Sequence, residues 1–162
     1  MATTSRRRIL QLAPSAAIAG AGISLVGVGL SGPAAADEAK AGDEADRALI
    51  RETLGHYFRG HATGDGAHIR KAFLPTAHIE GVRDGKFASW TLEEYASRFK
   101  GVPPADEATR TRTVDAIDVT GSAAVAKAIL TAAGAVTTDY FVLLKLGAEW
   151  KIANKVWSLR RP

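Results

Sequence analysis

The chain contains no cysteine among its 162 residues. This absence excludes disulfide bonds, thiolate nucleophiles and cysteine-ligated metals. Serine catalysis has no motif either, since a Gly-x-Ser-x-Gly elbow is missing and Ser89, Ser97 and Ser122 have no evident base beside them. The fold must therefore be stabilised by its hydrophobic core alone.

Metal-binding and phosphate-binding motifs are also missing. His56 and His61 are five positions apart and fall on different faces of a helix, so the histidines do not form a His-x-x-x-His site with an acid. The segment 64–66 (Gly-Asp-Gly) is too short to cradle a phosphate and is typical of a turn between helices. The sequence therefore predicts neither a metal nor any other cofactor.

The first 36 residues are typical of an export signal. Arg6 and Arg7 precede Ile9 and Leu10, as in bacterial twin-arginine signals, and a weakly apolar stretch rich in glycine and alanine follows over 12–30. Ala34 to Ala36 then supply small residues for a signal peptidase, which predicts cleavage before Asp37 and a secreted or periplasmic protein. The alternative is that the segment is retained as a membrane anchor.

Cleavage of this signal would lower the net charge of the remaining chain. The whole chain carries 21 basic and 17 acidic residues, and residues 1–36 hold three arginines and no acid, so 18 basic residues remain against 17 acids. A nearly neutral domain without clustered basic charge predicts no nucleic-acid partner and no membrane contact after cleavage.

The remaining chain predicts an α+β domain. The expected divisions are a signal at 1–36, a flexible lead-in at 37–46 and one domain at 47–162. Three helices are expected: Arg47 to Gly64, a short one capped by Asp65 and ending before Pro75, and one from a Thr91–Glu94 capping box to Gly101. Strands are expected at 77–82, 86–90, 111–120, 123–132, 138–146 and 150–159, with short turns that favour antiparallel pairing.

Several segments of this domain resemble a known family. They are residues 57–65, 72–77, 117–121, 138–140, 143–145 and 150–155. Together they resemble the "putative lumazine-binding" family of the nuclear transport factor two-like (NTF2-like) superfamily, which also includes ketosteroid isomerase, scytalone dehydratase and polyketide cyclases. The resemblance spans nearly all of 47–159. It implies a cone-shaped fold in which three N-terminal helices pack on a curved antiparallel sheet, and it does not assign an activity.

The last hairpin predicts two opposite sheet faces. A turn at Gly147-Ala148 pairs Lys145 with Trp150, and alternation then gives each face its residues. The more apolar face, expected inside the cone, holds Asp139, Phe141, Leu143, Trp150, Ile152, Asn154 and Val156. The other face holds Lys155 and the apolar row Tyr140, Val142, Leu144 and Trp157. This row predicts a homodimer through this side of the sheet.

The candidate site residues each allow two interpretations. Asp139 on an apolar face is either a general base or a carboxylate held structurally, for example by Asn154. Tyr57 and His61 are one helical turn apart and are expected at the cavity, where His61 is an acid/base candidate or a hydrogen-bonded core histidine. The other candidate ligand-binding residues are His78, Glu80, Trp90 and Phe141. For each of them the alternative is a side chain that faces solvent or packs in the core.

Two functions follow from these residues. The first is an exported binding domain whose apolar cavity takes a small apolar or heteroaromatic ligand. The second is a cofactor-free isomerase or dehydratase that uses Asp139 as general base, with Tyr57 or His61 as the hydrogen-bonding partner. The first is preferred, because the acid/base pairs of the enzymatic relatives are not recognisable by position.

Overall fold

Helices pack against one mixed six-stranded sheet in the computed structural model, which describes residues 33–161. In chain order the elements are α1 (Pro33–Thr63), α2 (Gly66–Ala72), β1 (His78–Arg83), β2 (Lys86–Thr91), α3 (Leu92–Ala96), a 3-10 turn (Glu107–Thr109), β3 (Thr111–Thr120), β4 (Ala123–Ala132), β5 (Ala135–Leu146) and β6 (Glu149–Arg160). The α+β prediction and all six strands are confirmed, with strand ends displaced by three residues or fewer.

Helix α1 begins earlier than the sequence predicts. Residues 37–46, expected as a flexible lead-in, are helical, and half of them are the good helix formers Ala and Glu. Asp46 fixes this part of α1 to the sheet, since it accepts a hydrogen bond from Trp150 Nε1 (3.0 Å) and pairs with Lys145 Nζ (2.7 Å). Residues 1–32 of the signal predicted at 1–36 lie outside the described residues. Within the described part, no helix is long and apolar enough to cross a membrane.

Local signals fix the helix ends. Gly64 has φ +69° and ends α1, and the Asp65 side chain accepts a hydrogen bond from Ala67 N (2.8 Å) to begin α2, as predicted. The Thr91–Glu94 capping box is present. Helix α3, however, ends at Ala96 rather than at Gly101.

The sheet order is β2-β1-β6-β5-β4-β3, and it is not wholly antiparallel. Strands β3 to β6 form an antiparallel meander, but β1 pairs with β6 in parallel, with Gly81 opposite Trp157. The entire segment from β2 to β5 lies between these two strands in the chain, so there is room for the long crossover that parallel neighbours need.

A β-bulge between β5 and β6 corrects the predicted register. Lys145 pairs with Trp150 and Leu143 with Ile152 as predicted, but the next pair joins Val142 to Asn154 and leaves Ala153 extra. One extra residue moves every later side chain of β6 to the opposite face. Phe141 therefore pairs with Lys155, and Asp139 with Trp157.

The two faces of the sheet differ accordingly from the prediction. Lys155 and Trp157 occupy the concave, buried face on which Asn154 and Val156 were expected. Trp157 is thus removed from the expected dimer face. The convex face is lined by exposed apolar residues, namely Val125, Tyr140, Val142, Leu144 and Val156.

Candidate functional site

A cavity of about 290 Å³ opens between the helices and the concave face of the sheet. Its lining is contributed by α1, α3, the segment before β3 and every strand except β3. The lining residues are Tyr57, His61, Arg83, Trp90, Tyr95, Arg98, Phe99, Arg110, Leu130, Ala132, Thr137, Lys155, Trp157 and Leu159. Aromatic walls and basic groups therefore meet in one small space.

Tyr57, Asp139 and Lys155 form a buried hydrogen-bonded triad beside the cavity. Tyr57 Oη donates to Asp139 Oδ2 (2.6 Å), and Lys155 Nζ donates both to Asp139 Oδ1 (2.9 Å) and to Tyr57 Oη (2.8 Å). Asp139 is 0% exposed and Lys155 is 4% exposed. Both charged groups are removed from water. Loss of either one would therefore leave the other buried without a partner, which would destabilise the fold.

The surroundings fix the protonation states of Tyr57 and Lys155. Burial raises the pKa of Tyr57 far above its ordinary value, and the Asp139 carboxylate adds to the effect. Burial acts to lower the pKa of Lys155, but the neighbouring Tyr95 and Asp139 outweigh it, so the pKa of Lys155 lies above its ordinary value. At neutral pH the cavity floor therefore presents a protonated tyrosine and an ammonium group.

His61 lies on the cavity wall one helical turn beyond Tyr57. Its Nε2 is 2.9 Å from Tyr95 Oη, and its ring packs edge-on against Tyr57 and Phe99. Burial lowers the pKa of His61 well below 6.5, and the positive charges of Lys155 and nearby arginines lower it further. The imidazole is therefore neutral at neutral pH.

Two parallel indoles form another wall. The rings of Trp90 and Trp157 are stacked with centroids 6.1 Å apart and an interplanar angle of 11°. The Arg98 guanidinium lies over Trp90 (4.6 Å) and the Arg83 guanidinium over Trp157 (5.3 Å). Each arginine is thus held against the aromatic wall by cation–π contact.

Gly81 makes the position of Trp157 possible. A Cβ atom at residue 81 would lie 2.4 Å from the Trp157 ring, so no larger residue fits there without displacing the indole. The Trp157 Nε1 donor is buried and has no hydrogen-bond partner among the described residues. An unpaired buried donor is costly in a folded protein.

Three predicted site residues meet at this cavity. Tyr57, His61 and Trp90 all line it. Asp139 lies behind Tyr57 and Lys155 rather than on the lining, and its carboxylate is engaged by both. To act as a general base on a ligand, it would first have to become accessible from the cavity.

The other predicted site residues lie elsewhere. The bulge turns Asn154 out of the cavity, and its amide joins β6 to β1 by accepting from His78 N (2.9 Å) and donating to Glu80 (3.4 Å). His78 and Glu80 lie on the face of β1 opposite to buried Ile79. Phe141 is buried in the core against Tyr57, with ring centroids 5.3 Å apart.

Several lining residues are missing from the sequence prediction. Lys155 and Trp157 were assigned to the wrong face, and Arg83, Arg98 and Arg110 were not singled out. Tyr95 and Phe99 are on the apolar stripe that predicted α3, so their spacing already indicated an inward direction. A signal for Trp157 also exists, since the large apolar residues of β6 change from even positions (Trp150, Ile152) to odd ones (Trp157, Leu159).

Metal-ligand geometry is not found at this site. No group of three or more His, Cys, Asp or Glu side chains that could hold a metal occurs within residues 40–161. The chemistry available to the cavity is aromatic stacking, hydrogen bonding from neutral and cationic donors, and charge attraction.

The neutral state of His61 has a measurable consequence for stability. Since its folded-state pKa lies below 6.5, the unfolded chain binds more protons as the pH falls below 6.5, and the free energy of unfolding decreases there. We expect urea unfolding to show this loss between about pH 6.5 and pH 5, and His61→Gln to reduce the slope. Equal slopes in the parent protein and in His61→Gln would contradict the assignment.

Comparison with known proteins agrees with this geometry. A family model described as "Putative lumazine-binding" matches residues 45–158. An NTF-2-like protein of unknown function from Silicibacter pomeroyi DSS-3 has a TM-score of 0.66 at 18% identity, covering 73% of this chain and 98% of that one. An NTF2-like protein of unknown function from Shewanella baltica OS155 has a TM-score of 0.65 at 26% identity, covering 72% of this chain and 95% of that one. Another from Methylobacillus flagellatus KT has a TM-score of 0.61 at 27% identity, covering 71% of this chain and 92% of that one.

A search of curated proteins found no match. The solved structures share the NTF2-like fold, and the family model covers well over half of the chain, including the cavity-lining parts of α1, α3 and β6. The chain belongs to the "Putative lumazine-binding" family of NTF2-like proteins.

Proposed function

We propose that this domain binds a small, flat aromatic molecule in the cavity between the helices and the sheet. The observation that carries the proposal is the aromatic lining of a space of about 290 Å³, with Tyr57, Trp90, Tyr95, Phe99 and Trp157 around it. A pocket of this kind, with apolar walls and a few fixed polar groups, is typical of ligand sites in proteins. The family description agrees with a small-molecule binding role.

Binding is favoured over the isomerase or dehydratase alternative by the state of Asp139. Its carboxylate contacts Lys155 and Tyr57, and it does not line the cavity. A general base needs to be within hydrogen-bonding distance of the proton that it removes. Asp139 is better suited to hold the two cavity-lining side chains in place.

The proposal is tested by calorimetric titration of residues 33–162 with lumazine, indole and 2-naphthol. We expect at least one to bind and to raise the melting temperature. Trp90→Ala removes one aromatic wall and should weaken affinity by about threefold to tenfold. Phe87→Ala, on the same strand but exposed and outside the lining, is the matched control. If none of the probes binds, or if both variants weaken binding equally, the proposal is wrong.

We also propose that a second copy of the chain covers the convex face of the sheet. Tyr140, Val142 and Leu144 are 49%, 47% and 40% exposed there, in a row on β5. Contiguous exposed apolar side chains on one face of a sheet are typical of surfaces that bind another protein. A self-complementary two-fold contact through this face would bury them.

The dimer is tested by light scattering after chromatography. Val142→Glu places a carboxylate in the proposed contact, where its desolvation is costly, and should give a monomer. Val102→Glu, at an exposed site in the loop after α3 and away from the sheet, should leave the mass unchanged. A monomeric parent protein would contradict the proposal.

Export by the twin-arginine route remains a proposal from the sequence of residues 1–36. Replacement of Arg6 and Arg7 by lysine should retain the precursor inside the cell, and the exported protein should begin at Asp37. Export that survives the double replacement would contradict it.

A further inference from the structure

The polar groups around the cavity are nearly all donors or cations. Four basic side chains line it, Arg83, Arg98, Arg110 and Lys155, and no carboxylate does among the described residues. The other lining residues that carry a polar group are two tyrosines, Thr137, His61 and the two tryptophans. A ligand that matches this lining must supply acceptors and negative charge.

Two of the four cations are already neutralised by the protein. Lys155 is paired with buried Asp139 (2.9 Å), and Arg110 is paired with Asp106 (2.8 Å). Within residues 40–161, Arg83 and Arg98 have no such carboxylate partner. The uncompensated positive charge of the cavity is therefore concentrated on these two arginines.

The cation–π contacts of these arginines do not use up their hydrogen-bond donors. A guanidinium is attracted to the face of an indole by its charge, and this contact does not consume its N–H groups. Those N–H groups are the donors that bind a carboxylate in a two-pronged manner. Arg83 and Arg98 both lie along the same wall, over the stacked pair Trp157 and Trp90.

We propose that the ligand is an aromatic anion; this inference rests on the proposed binding function. The ring of the ligand packs on the wall formed by Trp90 and Trp157. Its carboxylate or equivalent acidic group is bound by Arg83 and Arg98. A neutral aromatic of the same shape makes the same ring contacts but leaves both arginines without a partner. The anion therefore binds more tightly, and salt weakens its binding because the arginines are near the surface.

Matched acid and amide pairs test this inference. The probes are indole-3-acetate with indole-3-acetamide, and 2-naphthoate with 2-naphthamide, in calorimetric titrations at low and moderate salt. We expect each acid to bind about tenfold more tightly than its amide, and the difference to shrink as salt increases. Arg83→Gln and Arg98→Gln together should bring the acid to the affinity of the amide, while amide binding changes little.

Arg51→Gln is the control variant, because Arg51 is an exposed arginine on α1 that does not line the cavity. Equal binding of acid and amide, unaffected by the arginine replacements, would overturn the anion inference and leave the aromatic-binding function standing. Failure of all four probes to bind would overturn both. Loss of amide binding in the double arginine variant would also overturn the anion inference. It would show that the arginines support the aromatic wall and do not bind the acidic group of the ligand.

Discussion

Lys155→Met should lower the free energy of unfolding by about 3–5 kcal/mol. The change leaves the Asp139 carboxylate, which is 0% exposed, without its cationic partner and with Tyr57 as its remaining side-chain donor. Removal of one member of a buried ion pair is costly because the other charge remains desolvated. Urea unfolding of the parent and the variant gives the difference directly.

The control for this prediction lies on the same strand. Lys151 pairs with Glu149 at 3.0 Å near the surface, so Lys151→Met should cost less than about 1 kcal/mol. The double variant Asp139→Asn with Lys155→Met removes both charges and should lose less stability than Lys155→Met alone. A small effect of Lys155→Met, equal to that of Lys151→Met, would contradict the buried triad.

Gly64→Ala should destabilise the domain by about 2–4 kcal/mol. Gly64 has φ +69°, a conformation that costs any residue with a Cβ atom, and the new Cβ would lie 2.1 Å from the Val102 carbonyl oxygen. Gly64 O also accepts a hydrogen bond from Gly101 N (2.6 Å). This contact holds the segment after α3, which carries Arg98 and Phe99 to the cavity, so ligand affinity should fall as well.

Gly55→Ala is the matched control for Gly64→Ala and should have the opposite sign. Gly55 is within α1, and a Cβ atom there meets nothing within 4 Å. Alanine is a better helix former than glycine, so this variant should gain about 0.5–1 kcal/mol. Thermal and urea unfolding of the two variants measure both changes, and a loss of equal size in both would contradict the steric explanation.

Most of the fold was predictable because local signals mark its turns. Asp84 and Gly85 both have positive φ in the β1–β2 hairpin, and Gly147 does so between β5 and β6. Residues that favour this backbone conformation identify hairpin turns from sequence, and a short turn sets the first strand pairs beyond it. The pairing of Lys145 with Trp150 followed from that turn.

The site was less predictable because one residue controls its register. Alternation along β6 is regular only as far as Ile152, and the extra Ala153 exchanges the two faces beyond it. For this reason Asn154 was expected in the cavity, and Lys155 and Trp157 were not. The arginine contacts were also beyond prediction, since Arg83 and Trp157 are distant in the chain and meet only through the parallel pairing of β1 and β6.

The most direct test of the central claim uses the three tryptophans of the chain. Trp90 and Trp157 line the cavity, whereas the indole of Trp150 is buried elsewhere and donates to Asp46. Each indole N–H gives one nitrogen–proton resonance, so titration of nitrogen-15-labelled protein with lumazine and with 2-naphthoate can be followed at all three sites. We expect the resonances of Trp90 and Trp157 to shift and to saturate together while that of Trp150 stays fixed. Unchanged resonances with both probes, or shifts at Trp150 as large as those at Trp90 and Trp157, would contradict a ligand site in this cavity.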